Sequence, residues 1–245
     1  PVTYNRRLTI LRSFIDWLVE QEHWKTNPLT SVQRKKVKTV KHSKREPFTQ
    51  EEIKKILDAI ANNTYCSPYA STKHSFYYPF MYFLFKTGVR NAEAIGLRVK
   101  HVDTESNVIH IKEVLARTLK SSAGRDRVRK PTKNEKERVL PLTPDLHQVL
   151  KLQLAEKMPD DLVFQSPTGK PIDDHNFRNR VFKKVLQELG MKDRVLYAAR
   201  HTFGSRCIDE GITPVMTAFL MGNNPETALR RYTHQLNIPD NLPGI

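Results

Sequence analysis

The chain has 245 residues, room for one large domain or a large and a small one. Its 38% hydrophobic and 9% aromatic content excludes wholesale disorder, and no apolar run approaches the length of a membrane span. The net charge of +15, from 41 Lys and Arg against 26 Asp and Glu, favours a polyanion such as nucleic acid as partner; no basic amphipathic helix with an aromatic-rich face points to a membrane instead.

The chain opens on Pro1 and enters a helical pattern with no secretory signal, so it reads as a fragment. Leu8, Leu11, Phe14, Ile15 and Leu18 form an i, i+3, i+4 stripe, the mark of an amphipathic helix ending near Trp24 and the Asn27-Pro28 turn. Residues 33–46 are basic and poor in apolar side chains, which predicts a linker. A second unit begins at Thr49 and Glu52, a capping box flanked by the staple pair Phe48 and Ile53. A helix is expected over about 75–87, with Phe76, Phe80, Phe83 and Leu84 on it and Gly88 as its cap; a short helix follows over about 91–97. Cys66 and Cys207 are too few and too far apart for a disulfide framework or zinc ribbon, and suit a reducing cytoplasm.

The period then changes. Val108, Ile109 and Ile111 suggest a strand, and 128–133 with 137–142 read as a hairpin around Asn134-Glu135-Lys136. Lys120 to Arg127, rich in basic, Ser and Gly residues, is expected to be a loop. Helices resume at Thr143-Pro144, over 173–189 with the stripe Phe177, Val181, Val185 and Leu189 and Gly190 as its stop, and over about 198–210, 214–221 and 225–231. The predicted fold is mainly α with a small antiparallel sheet.

Four separated segments carry chemistry: Thr87-Gly88-Val89-Arg90-Asn91-Ala92-Glu93, Thr132-Lys133-Asn134 ahead of Arg138-Val139-Leu140-Pro141-Leu142, Arg200-His201-Thr202-Phe203-Gly204, and Tyr232-Thr233-His234. Tyr232 follows Arg200 by 32 residues. In order and spacing the set resembles the tyrosine recombinase (phage integrase) family: its T-G-x-R-x-x-E segment, its β-hairpin lysine, its R-H-T-F helix and its Y-x-H segment. The resemblance covers residues 48–234. Residues 1–32 are similar, more weakly, to the end of the family's helical core-binding domain. It thus implies three parts: 1–32 from a DNA-clamping domain, the basic linker 33–46, and a catalytic domain over 47–245.

That likeness implies site-specific cutting and rejoining of DNA through a 3′-phosphotyrosine, with no metal, ATP or other cofactor. The chemistry suits the residue types. A tyrosine oxygen stores the phosphodiester energy in a covalent bond, which gives Tyr232 the role of nucleophile. Two forked guanidiniums, Arg90 and Arg200, match the non-bridging oxygens of a crowded anionic transition state. The basic 5′-leaving oxygen needs a proton, and Lys133 is the candidate acid, with Lys136 competing. Glu93, a turn after Arg90, is a candidate to orient it or an exposed helix charge. His201 is a supporting candidate or a packed core histidine, and His234 reads as structural.

Two positions depart from the family pattern. Tyr197 stands three residues before Arg200 where the family has histidine, and Asn223 follows Leu220-Met221-Gly222 where it has histidine or tryptophan. Both keep hydrogen-bonding capacity, so both remain candidates for phosphate contact. The implied setting is prokaryotic or phage, cytoplasmic and nucleoid-associated. The implied partners are double-stranded DNA, further copies of the chain in a tetramer, and accessory DNA-bending or directionality proteins. The alternatives are a type IB topoisomerase-like relaxing enzyme and a catalytically silent DNA-binding relative.

Overall fold

The computed structural model describes residues 1–36, 46–118, 127–132, 137–226 and 229. The chain divides into two units, Pro1–Ser43 and Lys44–Ile245. No helix among the described residues is long and apolar enough to cross a membrane.

The first unit is built on one long helix, α1 (Val2–Glu20). Its Arg12 side chain donates to the carbonyls of Leu29, Thr30 and Val32, tying the following segment back along the helix. Asn5 exchanges hydrogen bonds with the Lys35 main chain, and Arg34 reaches Thr9, so the start of the basic stretch is bonded to α1. Leu8 and Ile15 are buried, but Leu11 and Phe14 of the expected stripe are exposed, as are Ile10 and Trp17. The stripe is real as a pattern; one helix and a strap cover only half of it.

In the second unit the Thr49 capping box forms as expected: the Thr49 hydroxyl accepts from the Glu52 N–H, and the Glu52 carboxylate from the Thr49 N–H. It opens α2 (Gln50–Ala61), with Phe48 and Ile53 both buried. The next helix starts later than its pattern suggested. His74–Tyr77 form a 3₁₀ turn, Phe76 is exposed, and α3 runs Tyr78–Thr87 with Pro79 in its first turn, where a missing N–H is harmless. Phe80, Met81, Phe83, Leu84 and Phe85 of α3 make the centre of the core.

Gly88 ends α3 at φ +59°, the left-handed cap. A side chain there has no room: a Cβ would lie 2.3 Å from Cδ1 of Phe203. Gly88→Ala combines left-handed strain with overpacking and is expected to destabilise the fold by roughly 2–4 kcal/mol, read as a lower denaturation midpoint at unchanged slope. A midpoint equal to wild type would show that the Phe203 ring yields at no cost.

After α4 (Asn91–Gly96) come β1 (Val102–Asp103), β2 (Val108–Ile111), β3 (Glu113–Arg117), β4 (Arg127–Pro131) and β5 (Arg138–Pro141). The expected hairpin between 128–133 and 137–142 does not form. β5 pairs antiparallel with β2, and β2 with β1, while β4 pairs with β3 in a separate two-stranded sheet. Face matching explains the choice. β5 turns Arg138 and Leu140 inward opposite Ile111 and Ile109, whereas β4 has no buried side chain to offer that face. β3 has one buried side chain, Leu115, too little alternation to announce a strand. It lies against the end of α4, where a Cβ on Gly96 would stand 2.7 Å from the Leu115 nitrogen. Of the expected loop from Lys120, residues 120–126 lie outside the described residues, and Arg127 begins β4.

The helices of the C-terminal half follow the sequence closely. α5 spans Pro144–Leu154; α6 (Asp174–Phe177), a π turn (Arg178–Phe182) and α7 (Lys183–Glu188) make one helical run burying Phe177, Val181 and Val185; α8 spans Tyr197–Asp209 and α9 Pro214–Met221. Thr213 caps α9 by accepting from the Met216 N–H. Pro225, Glu226 and Leu229 are helical, as expected for 225–231; the rest of that stretch lies outside the described residues. The fold class is therefore as expected: mainly helical with small antiparallel sheets.

Candidate active site

Arg90 is the N-cap of α4, itself extended and two residues after the Gly88 cap. Its own N–H donates to Glu93 Oε2 and its Nη1 to Glu93 Oε1, both at 2.8 Å. Its Nη2 reaches across to the Gly222 carbonyl at 2.9 Å and to Asn223 Oδ1 at 3.4 Å. Arg200, on the second turn of α8, is 2% exposed. Its Nη1 donates to the Gly88 carbonyl at 2.7 Å, and its Nη2 to the Met221 carbonyl at 2.6 Å and Asn223 Oδ1 at 2.7 Å.

The two arginines expected to act together are thus held by one acceptor, the side-chain oxygen of Asn223. Asn223 was expected to offer its amide to a phosphate. Its oxygen is used by the arginines, which leaves the Nδ2 group as the donor for an anion. Burial, with the nearby charge of Arg90 adding to it, pushes Arg200 down to about 10, so it stays protonated at neutral pH. Its Nε is buried and has no partner among the described residues. A buried cation with an unused donor is expensive to keep, and an arriving anion relieves it.

Tyr197 opens α8, one turn before Arg200, and its ring meets the His201 ring edge-on at 5.1 Å. Both are part-buried, His201 packs against Tyr197, and Tyr197 lies close enough to Arg200 to act on its charge. Thr202 and Phe203 are structural: the Thr202 hydroxyl accepts from the Phe48 N–H, and Phe203 fills the space over Gly88. Lys133, Tyr232, Lys136 and His234 lie outside the described residues; Thr132 before the lysine segment and Arg138 after it are buried.

Glu93 is no exposed helix charge. It is 1% exposed, and besides Arg90 it takes Arg138 Nη2 on Oε2 at 2.7 Å and Arg138 Nη1 on Oε1 at 3.3 Å. Burial alone would raise its pKa; the hydrogen bond and charge of Arg138, then the charge and N–H of Arg90, outweigh this and hold it below the ordinary 4.5. A carboxylate lowered on folding adds stability above its ordinary pKa and loses it as pH falls through the folded value. Acidification below about 4.5 is therefore expected to erode wild-type stability more steeply than that of Glu93→Gln. Parallel acid limbs in denaturation midpoints would show that Glu93 does not carry this dependence.

Arg138 is the residue sequence reasoning passed over. It lies five residues after Lys133, but a strand arginine ordinarily faces solvent, and this one is 4% exposed. A separate cavity of about 1080 Å³, walled by His74, Tyr77, Arg117, Arg127, Lys170 and Arg180, includes none of the residues of this arginine cluster.

Residues 46–237 match the model of the phage integrase family. The chain belongs to the phage integrase family. A relative within reach is the tyrosine recombinase XerC of Escherichia coli, 26% identical over 233 residues, which are 93% of this chain and 68% of that protein. The tyrosine recombinase XerD of Lacticaseibacillus casei is 22% identical over 244 residues, covering 97% of this chain and 73% of that one. Among solved structures, the Tn1549 transposon integrase in complex with a circular intermediate DNA superposes with a TM-score of 0.77 at 20% identity, over 95% of this chain and 75% of that chain. A lambda integrase dimer bound to a COC' core site gives 0.62 at 15% identity, over 98% and 61%. The integrase fold and the enzyme class, a tyrosine-type site-specific recombinase, stand as expected from the sequence.

Proposed function

We propose that this integrase-family chain cuts and rejoins double-stranded DNA through a 3′-phosphotyrosine on Tyr232, acting as a homotetramer on its site. The observation that carries the reading is the cradle: Arg90 and Arg200, from different helices, share Asn223 Oδ1 and retain N–H groups for an anion. In the first step the Tyr232 oxygen, releasing its proton to solvent, attacks the phosphorus, the bond to the 5′-oxygen breaks, and Lys133 protonates the departing oxygen. Arg90, Arg200, the Asn223 amide and the Tyr197 hydroxyl hold the non-bridging oxygens, with Glu93 and His201 supporting them. Attack by a 5′-hydroxyl of another strand restores the phosphodiester and frees Tyr232, so no outside energy is used.

The first unit fits the end of a DNA-clamping domain, and its basic continuation suits a linker along the DNA backbone. The solved relatives bound to DNA support a duplex as partner. DNA-bending or directionality proteins are the accessory partners we expect, in a prokaryotic or phage setting. The test is incubation with a nicked suicide duplex followed by denaturing electrophoresis. A protein–DNA adduct is expected, and its absence at saturating protein would point to the silent relative.

The charge of +15 gives a second check. If about six phosphates are neutralised on binding, affinity falls roughly a thousandfold between 50 and 200 mM salt. A flat salt response in a binding titration would mean that the excess charge is not the DNA footprint.

A further inference from the structure

We infer that Arg138 is a positioning residue for strand cleavage, sharing the charge of Glu93 with Arg90 and fixing the turn that carries Asn223. The role deepens the strand-cleavage reading above and rests on it. Arg138 enters the core from β5 and makes three kinds of contact. It pairs with both oxygens of Glu93, donates from Nε to the Leu220 carbonyl at 2.8 Å, and lies under Gly222, where a Cβ would come within 2.7 Å of its Nη1. Gly222 in turn accepts from Arg90, and Met221 and Asn223 accept from Arg200. One side chain therefore links the strand after the Lys133 segment, the helix that bears Arg90, and the turn that spaces the two arginines.

The charge balance gives this a consequence. Glu93 is shared by two guanidiniums, and with Arg200 the cluster holds three arginines to one carboxylate. Without Arg138, the buried carboxylate would have Arg90 as its one ionic partner among these. A charge spent on Glu93 is withdrawn from a phosphorane in a water-poor site. Arg138 thus acts through Glu93 and the turn, without touching the phosphate.

The experiment is a double-mutant cycle of Arg138→Met and Glu93→Gln, read by single-turnover cleavage of the nicked duplex and by DNA affinity. Arg138→Met is expected to lower cleavage about a hundredfold with affinity within about twofold of wild type. The double variant should recover at least about tenfold of that loss, because removing the carboxylate charge releases Arg90. Arg138→Lys keeps a cation against Glu93 and should stay within about tenfold of wild type. A double variant no faster than Arg138→Met, a lysine variant as slow as the methionine one, or wild-type cleavage by Arg138→Met would each overturn the inference. Inorganic phosphate affinity, measured by calorimetry, reads the same cradle without cleavage and should be weaker in Arg138→Met. Failure of the wild-type protein to form an adduct would sink the proposed function, while equal phosphate affinity in wild type and Arg138→Met would sink this role.

Discussion

Tyr232→Phe is expected to bind DNA with wild-type affinity and to form no covalent adduct. The substitution removes one oxygen and leaves the ring, so whatever packing the ring has is retained and folding is nearly unchanged. Without the phenolate oxygen no bond to phosphorus forms, and the arginines then hold an intact phosphodiester. The loss is therefore complete in cleavage and absent in binding, a split that a packing role for Tyr232 does not produce. The check is a suicide substrate on a denaturing gel beside a binding titration. Adduct from the phenylalanine variant at wild-type yield would move the nucleophile elsewhere in the chain.

Arg90→Ala and Arg200→Ala are each expected to slow cleavage by roughly 10²–10³, the scale of losing one preorganised donor to a developing anion. Their stabilities should differ, and the geometry says how. Arg90 is part-exposed, and after its loss Glu93 keeps Arg138, so the fold should hold. Arg200 is buried and satisfies the carbonyls of Gly88 and Met221; Ala strands them, at about 1–3 kcal/mol for each buried group. Arg90→Ala is thus the clean kinetic test. Arg200→Lys keeps a charge but cannot span two carbonyls and Asn223, so it should remain slow. Wild-type cleavage by Arg90→Ala would remove the paired-guanidinium cradle from the mechanism.

Local chemistry was legible without coordinates. The Thr49 capping box, the Gly88 cap, the proline-led starts of α5 and α9 and the inward face of α6–α7 each depend on residues a few positions apart. The order Arg90, Lys133, Arg200, Tyr232 and the excess of positive charge are likewise properties of the string itself, and the family resemblance rests on them. Tertiary structure alone decided which strands pair, because the buried faces of β2 and β5 match and β4 has none. It alone turned Glu93 from a helix charge into a buried hub, through a contact 45 residues away in sequence, and gave Asn223 its shared oxygen. It brought out Arg138, whose partners lie 45 and 82 residues from it. A charged side chain is buried only where distant segments supply its counter-charge and hydrogen bonds together, and no local pattern of residues records that meeting.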